Sequence, residues 1–228
     1  MGRATAMILA AGRGDRMRPL TDALPKPLLE VAGKPLVVHQ IEALARAGHR
    51  DIAINASHLA HMLVDVLGDG REHGVTLHWS IEPEPLETLG GIATARPMLA
   101  DGPVLIVSGD VWTAYDYSLI EAQRPYVKRT MHLVMVPNPP YHPKGDFTLD
   151  GSRLATHGAR ALTYGNIGLY DAALFDELPR GEKLKLLPLM LDCIRDGRAT
   201  GEYYSGPWAN LGTPDDLARL KTALSHPG

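Results

Sequence analysis

The 228-residue chain has a single cysteine, Cys193, so no internal disulfide can form and a secreted, cystine-stapled fold is excluded. No apolar run approaches the roughly 18 residues of a membrane span. The N-terminal Met1-Gly2-Arg3-Ala4-Thr5-Ala6 carries alanine where an acylation signal needs serine or threonine at the sixth position. The apolar stretch from Ala6 to Ala11 is too short for a signal peptide and runs straight into a glycine turn. A cytoplasmic protein without a membrane partner is expected. Neither sign of charge dominates: 23 Lys and Arg against 26 Asp and Glu leave a net −3, which argues against a nucleic-acid partner. The histidines lack ligand spacing for a metal; the nearest case, His58 and His61, reads as a pair of exposed helix residues. No linker, repeat or compositional break divides the chain, so residues 1–228 read as one domain, long enough to bury a full core.

What is present is an alternation. Ala6–Leu9, Ile52–Ile54, Thr76–Trp79 and Val104–Val107 read as strands, and Val37–Ala47, His58–Leu67 and Thr88–Leu99 place apolar residues on one helical face. Strands alternating with helices of this length predict an α/β fold: a Rossmann-like, mostly parallel central sheet with helices on both faces. Gly48, Gly68, Gly70 and Gly74 fall where these elements should end. The second half is less regular. Met131–Val136 is a strand candidate, and Pro137, Pro139, Pro140 and Pro143 forbid a helix after it. Gly145–Leu149 and Ala161–Tyr170 read as further strands, Leu186–Ile194 and Pro214–Leu224 as helices. The last has Thr213 as N-cap, Pro214 at the first helical position, and Asp215 and Asp216 complementing the dipole.

The sharpest local signal is Leu9-Ala10-Ala11-Gly12-Arg13-Gly14-Asp15-Arg16, continuing through Arg18-Pro19-Leu20-Thr21 to Pro25-Lys26-Pro27. It follows the first strand and so lies at the carboxyl edge of a parallel sheet, where open α/β folds bind ligands. Small residues let backbone N–H groups approach phosphate oxygens, and Arg and Lys supply the charge that backbone cannot. A dinucleotide fingerprint is excluded because position 17 is Met rather than a third glycine, and a P-loop because no Gly-Lys-Ser/Thr follows.

This segment resembles the signature of the sugar-1-phosphate nucleotidylyltransferases, which make nucleotide sugars. Gly33-Lys-Pro-Leu36, Leu89-Gly90-Gly91, Ser108-Gly109-Asp110, Asn166-Ile-Gly168-Leu-Tyr170 and Trp208-Ala-Asn-Leu-Gly212-Thr213 continue the resemblance in the family's order over nearly the whole chain. The subgroup it looks most like is the short bacterial N-acetylmuramate-1-phosphate uridylyltransferase type, through Pro85-Leu-Glu-Thr88, Gly109-Asp-Val-Trp112 and Lys144-Gly-Asp-Phe147. The resemblance implies the nucleotide-diphospho-sugar transferase fold and attack of a sugar-phosphate oxygen on the α-phosphorus of a nucleoside triphosphate, releasing pyrophosphate. It implies Arg16 on the β- and γ-phosphates and Lys26 on the α-phosphate and sugar phosphate as catalytic groups. Ala10, Ala11, Gly12 and Gly14 would cradle the nucleotide, with Glu82 and Gly90 at the base. Gly145, Asp146, Asn166 and Gly168 would surround the sugar. Asp110 would hold Mg²⁺, a hard cation that takes carboxylates, phosphate oxygens and water. Asp116 is a weaker candidate, better suited to cap a helix starting near Ser118. Cys193 reads as a buried small hydrophobe, and Trp112 either stacks on the sugar or fills the core.

Two departures from the family pattern stand out. Asn210 replaces the usual second metal-binding aspartate, an amide oxygen without formal charge; drift, altered metal requirement and lost activity all fit. The family's Glu-Lys-Pro before the Asn166 segment is missing, with Lys144-Gly145-Asp146 available in its place. The implied substrates are UTP and N-acetylmuramic acid 1-phosphate, in peptidoglycan recycling. The alternatives are a mannose- or heptose-type guanylyltransferase and a nucleotide-sugar-binding protein impaired by Asn210. The short chain leaves no room for the extra C-terminal domain of larger relatives, so a monomer or small homo-oligomer is expected.

Overall fold

Strands that are apolar on both sides need cover on both sides. The computed structural model describes residues 2–225, so the first residue and last three of the expected 1–228 span lie outside the described residues. From β1 (Ala6–Leu9) the chain passes through the glycine loop to a small ribbon, β2 (Glu30–Val31) and β3 (Lys34–Pro35). It continues through α1 (Leu36–Arg46), β4 (Asp51–Ala56), α2 (Ala60–Leu67), β5 (Thr76–Ile81), α3 (Glu87–Ala95) and β6 (Pro103–Ser108). Then come β7 (Val111–Thr113), α4 (Tyr117–Glu121), β8 (Met131–Val136), β9 (Phe147–Asp150), β10 (Arg153–Ala155) and β11 (Ala161–Asp171). The chain closes with α5 (Leu186–Arg195), β12 (Ala199–Tyr203), β13 (Trp208–Asn210) and α6 (Pro214–Ser225).

Nine strands form one sheet in the order β5-β4-β1-β6-β11-β8-β12-β10-β9. The first four run parallel, as the βα alternation predicts. Beyond β6 the sheet is mixed: β11 enters antiparallel to both β6 and β8, while β8 and β12 run parallel. Alternation divides each strand between two cores. Ala6, Ile8, Ile52, Ile54, Leu105 and Val107 face α1, α2 and α4; Met7, Ala53, Val104 and Ile106 face α3 and α5. A third, smaller cluster joins Met17 and Leu29 of the loop region to Leu36, Leu211, Leu217 and Leu220, so α6 anchors the glycine loop from behind.

Element boundaries follow local chemistry. The helix expected over Thr88–Leu99 ends as α3 at Ala95 and continues as a 3-10 turn over Arg96–Met98, because Pro97 lacks an N–H. Thr213 and Asp216 cap α6 reciprocally: Asp216 Oδ2 accepts from Thr213 N and Oγ1, both at 2.8 Å, and Asp216 N donates to Thr213 Oγ1. Asp116 caps α4 by accepting from Ser118 N. Trp112 packs on the third cluster, which favours the core-filling of its two readings. Cys193 is fully buried, and that burial pushes its thiol pKa up. His58 departs from expectation: it precedes α2, half-buried, with Nε2 beside the Thr21 carbonyl. Among the described residues no helix is long and apolar enough to cross a membrane.

Candidate active site

The carboxyl ends of β1, β4 and β6 and the segment after β5 open on one cavity of about 1100 Å³, at or above the roughly 300–1,000 Å³ of a single-ligand pocket. Its floor is Leu9, Asn55, Glu82 and Ser108. Ala10, Ala11, Gly12 and Lys26 form one wall. A Cβ at Gly12 would meet no protein atom within 4 Å, so its backbone is open to a ligand. Gly14 lies outside the lining and has a different task. Its φ of +72° starts the 3-10 turn carrying Arg16, and a Cβ there would stand 3.3 Å from Lys26 Cβ. The glycine therefore lets the loop close on the lysine. Lys26 is 8% exposed and donates from Nζ to Asp110 Oδ2 at 2.5 Å. Asp110 Oδ1 accepts from Ser108 Oγ at 2.6 Å. Arg16 is exposed and stands outside the lining, its guanidinium against Gly212.

Glu82 is 2% exposed. Its Oε1 accepts from Asn55 Nδ2 (2.7 Å) and its Oε2 from Leu86 N (3.1 Å), while Asn55 Oδ1 accepts from Ala10 N (2.9 Å). A buried relay thus ties the base-side loop to the glycine loop, and burial, against those two hydrogen bonds, pushes the Glu82 pKa up. Asn55 was not among the expected site residues; the signal for it is one polar residue inside the apolar Ile52–Ala56 run. Gly90 is absent from the lining. A Cβ on it would sit 2.1 Å from the Glu182 carbonyl, and its N–H donates to Leu184 O, so it seats the loop before α5. Glu87 and Thr88 line the cavity instead, Glu87 in the left-handed region at φ +61°.

The opposite wall depends on a bulge. β11 pairs β8 in one register up to Tyr164↔Met135 and in another from Gly168↔Leu133, so Gly165, Asn166 and Ile167 stand opposite one residue, Val134. Asn166, at φ +56°, sits at that break and in the lining. It lies one residue beyond Ile167↔Val107, at the edge where Ser108 ends β6. Asp146 also lines the cavity, held by Tyr164 N (2.8 Å) and His142 Nε2 (3.0 Å). Gly145 and Gly168 do not line it. A Cβ at Gly145 would meet Asn138 Oδ1 at 2.7 Å, and one at Gly168 the Tyr170 ring at 2.6 Å; both serve packing. Trp208, whose Nε1 donates to Gly165 O at 2.9 Å, is the lining tryptophan.

Asp110 and Asn210 meet through β7 and β13, which pair Asn210 with Val111 while Leu211 N donates to Asp110 O. Asn210 Oδ1 is buried without a hydrogen-bond partner, an arrangement that normally demands an explanation such as an ion. With Asp110 it gives two hard oxygen donors on residues that line one cavity, a set that suits Mg²⁺ completed by phosphate and water oxygens. Among the described residues no group of three or more His, Cys, Asp or Glu is placed to hold a metal alone.

An open glycine loop at a strand end, beside a lysine and two oxygen donors in a cavity large enough for two substrates, is the equipment of nucleotidyl transfer. The profile of the family described as nucleotidyl transferase matches residues 5–147. The N-acetylmuramate alpha-1-phosphate uridylyltransferase of Neisseria meningitidis serogroup B is 43% identical over 229 residues, 98% of each chain. A mannose-1-phosphate guanyltransferase of Schizosaccharomyces pombe is 41% identical over 120 residues, 51% of this chain and 33% of that protein. HddC from Yersinia pseudotuberculosis, complexed with GMP-PN, shares the fold with a TM-score of 0.75 at 20% identity, covering 96% and 98% of the two chains. The chain belongs to the nucleotidyl transferase family. Within that family it is a sugar-1-phosphate nucleotidylyltransferase, similar end to end to the Neisseria uridylyltransferase.

Proposed function

We propose that the protein, as one nucleotidyltransferase domain over residues 1–228 in the cytoplasm, joins UTP to N-acetylmuramic acid 1-phosphate with Mg²⁺, in peptidoglycan recycling. The observation that carries the chemistry is the Lys26–Asp110 pair beside the unpartnered Asn210 oxygen; the end-to-end similarity to the Neisseria enzyme supports the substrates. A sugar-phosphate oxygen attacks the α-phosphorus, the bond from that phosphorus to the bridging oxygen breaks, and pyrophosphate leaves. Both reactants are anions, so the protein must offset repulsion and hold them in line. Open N–H groups at Ala11 and Gly12 receive phosphate oxygens, and Lys26, aimed by Asp110, meets the α-phosphate and the incoming phosphate. Arg16, free to swing from beside Gly212, takes the leaving pyrophosphate. Asn166 and Asp146 orient sugar hydroxyls, and the Glu82–Asn55 relay fixes the nucleotide wall. Mg²⁺ held by Asp110 and Asn210 would supply charge neutralisation across the phosphates.

The test is pyrophosphate release with Mg²⁺, UTP and N-acetylmuramic acid 1-phosphate, beside wells holding GTP and mannose 1-phosphate. Selective release in the first well is expected. Release only with GTP would keep the chemistry and overturn the base and sugar. Silence in every well, with nucleotide bound, would favour the non-catalytic reading of Asn210.

A further inference from the structure

The cavity's cations are almost all paired with carboxylates of its lining. Lys26 meets Asp110, Arg13 meets Asp15, His142 meets Asp146 and Lys183 meets Glu84. Among the lining cations only Lys185 has no partner within the described residues. It immediately precedes α5 with an extended backbone, φ −82° and ψ 139°. Two residues on, Leu187 also lines the cavity, yet is 52% exposed, a large apolar side chain turned to solvent in a wall built for a ligand. Between them Leu186 turns into the apolar cluster that holds Phe147 and Tyr164, the neighbours of Asp146 and the bulge. The start of α5 therefore lies between the two walls: Leu184, just before Lys185, exchanges backbone hydrogen bonds with Leu86 and Leu89 on the base side, while Leu186 packs in the cluster beside the sugar wall. The triphosphate end, with Lys26 and Asp110, is formed by other elements.

We propose that Lys185 and Leu187 determine sugar specificity by reading an acidic ether substituent on the sugar ring. Lys185 takes the carboxylate and Leu187 covers the methyl. This rests on the N-acetylmuramic acid reading above, whose 3-O-lactyl group carries both. The unpaired ammonium is completed by the substrate's charge, and the exposed leucine loses its water to the substrate's methyl. A hexosamine phosphate without the lactyl group leaves both unfilled, which is discrimination by an unsatisfied site.

The experiment is steady-state kinetics on wild type, Lys185→Met, Lys185→Arg and Leu187→Ser. The substrates are N-acetylmuramic acid 1-phosphate, its lactyl methyl ester and N-acetylglucosamine 1-phosphate, each with UTP. Lys185→Met should raise KM for the acid by about 10- to 100-fold, the worth of one charge-assisted hydrogen bond. Its KM for UTP should stay within a factor of about two, since the charge of that substrate is held at the triphosphate end by other elements. Its preference for the acid over the ester should vanish, and Lys185→Arg should restore most of that preference. Leu187→Ser should raise KM for acid and ester together. Equal losses on all three substrates, or no loss in Lys185→Met, would overturn the assignment while the functional reading stands. Wild type that releases pyrophosphate from N-acetylglucosamine 1-phosphate as readily as from the acid would overturn it too. Wild type inactive on the acid but active on another pair would sink the functional reading itself, and this inference with it.

Discussion

The two ends of the cavity are built by different means. The phosphate end uses strand termini, glycines and one short ion pair: Gly14 closes on Lys26, Lys26 meets Asp110, and Asp110 is braced by Ser108. The sugar and base walls use irregular backbone: a three-to-one bulge in β11 and two non-glycine residues in the left-handed region, Asn166 on the sugar side and Glu87 on the base side. On the reading proposed above, charge held just beyond the strand ends serves chemistry common to many sugar phosphates. Departures from regularity serve a particular sugar and base, and such departures are where strain is tolerated.

The comparison breaks most easily at Lys26. Removing one preorganised donor costs about 2.7–4 kcal/mol of transition-state stabilisation, or about 10²–10³ in turnover, so Lys26→Met should lose that much with KM for the sugar phosphate less affected. Because Lys26 is buried against Asp110, the same variant should also lose about 1–3 kcal/mol of stability, short of the ~3–5 kcal/mol for a fully buried pair. Arg16→Ala should lose turnover comparably without that cost, since Arg16 is exposed. Urea melts alongside pyrophosphate release separate the two. Normal turnover in Lys26→Met would remove it from the mechanism.

At the sugar end a milder, substrate-confined effect is expected. Asn166→Gly keeps a residue that tolerates φ +56° and deletes only the amide. KM for the sugar phosphate should rise about tenfold, or ~1.4 kcal/mol, while the melting temperature barely moves. Asn166→Ala should add about 1 kcal/mol of destabilisation from the left-handed backbone. If both variants bind sugar phosphate normally, the bulge is architectural only.

These two ends were unequally legible. The strands β1, β4, β5 and β6 follow from apolar runs that need no partner to be recognised, and Lys26 and Asp110 from the resemblance of their motifs to the family signature. Apart from Arg16, the expected residues that stand outside the cavity lining are glycines. Gly90, Gly145 and Gly168 stand within the expected motifs, yet each is required by a close neighbour rather than by the cavity. What a missing Cβ makes room for depends on elements far away in the chain, here the 182–184 segment for Gly90 and Leu133 of β8 for Gly168. Strands β7, β10, β12 and β13 are short or interrupted by polar residues, and only their tertiary partners define them. Asn55 joined the site through a hydrogen-bond relay that its one local signal, a polar residue in an apolar strand, does not specify.

Glu87 offers a gain where the other positions offer losses. A left-handed glutamate costs roughly 1–2 kcal/mol that glycine avoids, and glycine returns part of this as chain entropy. Glu87→Gly should therefore stabilise the protein by about 1 kcal/mol, read as a higher melting temperature. If turnover or KM for UTP worsens at the same time, the strained carboxylate is serving the cavity. A stability loss would mean that the side chain has a partner worth more than the strain.

The smallest expected effect probes the boundary between the two ends. Asn210→Asp places a second carboxylate beside Asp110, where Asn210 Oδ1 is buried and unpartnered. Without metal, like charges at close range repel and the added carboxylate must be desolvated, so the melting temperature should fall slightly. Mg²⁺ should then raise it more in the variant than in wild type, because binding to the folded state alone stabilises by mass action and the added charge tightens binding. Turnover should change by no more than about fivefold, roughly 1 kcal/mol, since on the proposed mechanism triphosphate oxygens would already offset the missing charge in the wild type. A variant whose melting temperature responds to Mg²⁺ as the wild type's does would place the Asn210 oxygen away from the metal. A wild type that is silent until Asn210→Asp restores turnover would show instead that the amide had cost the protein its catalysis.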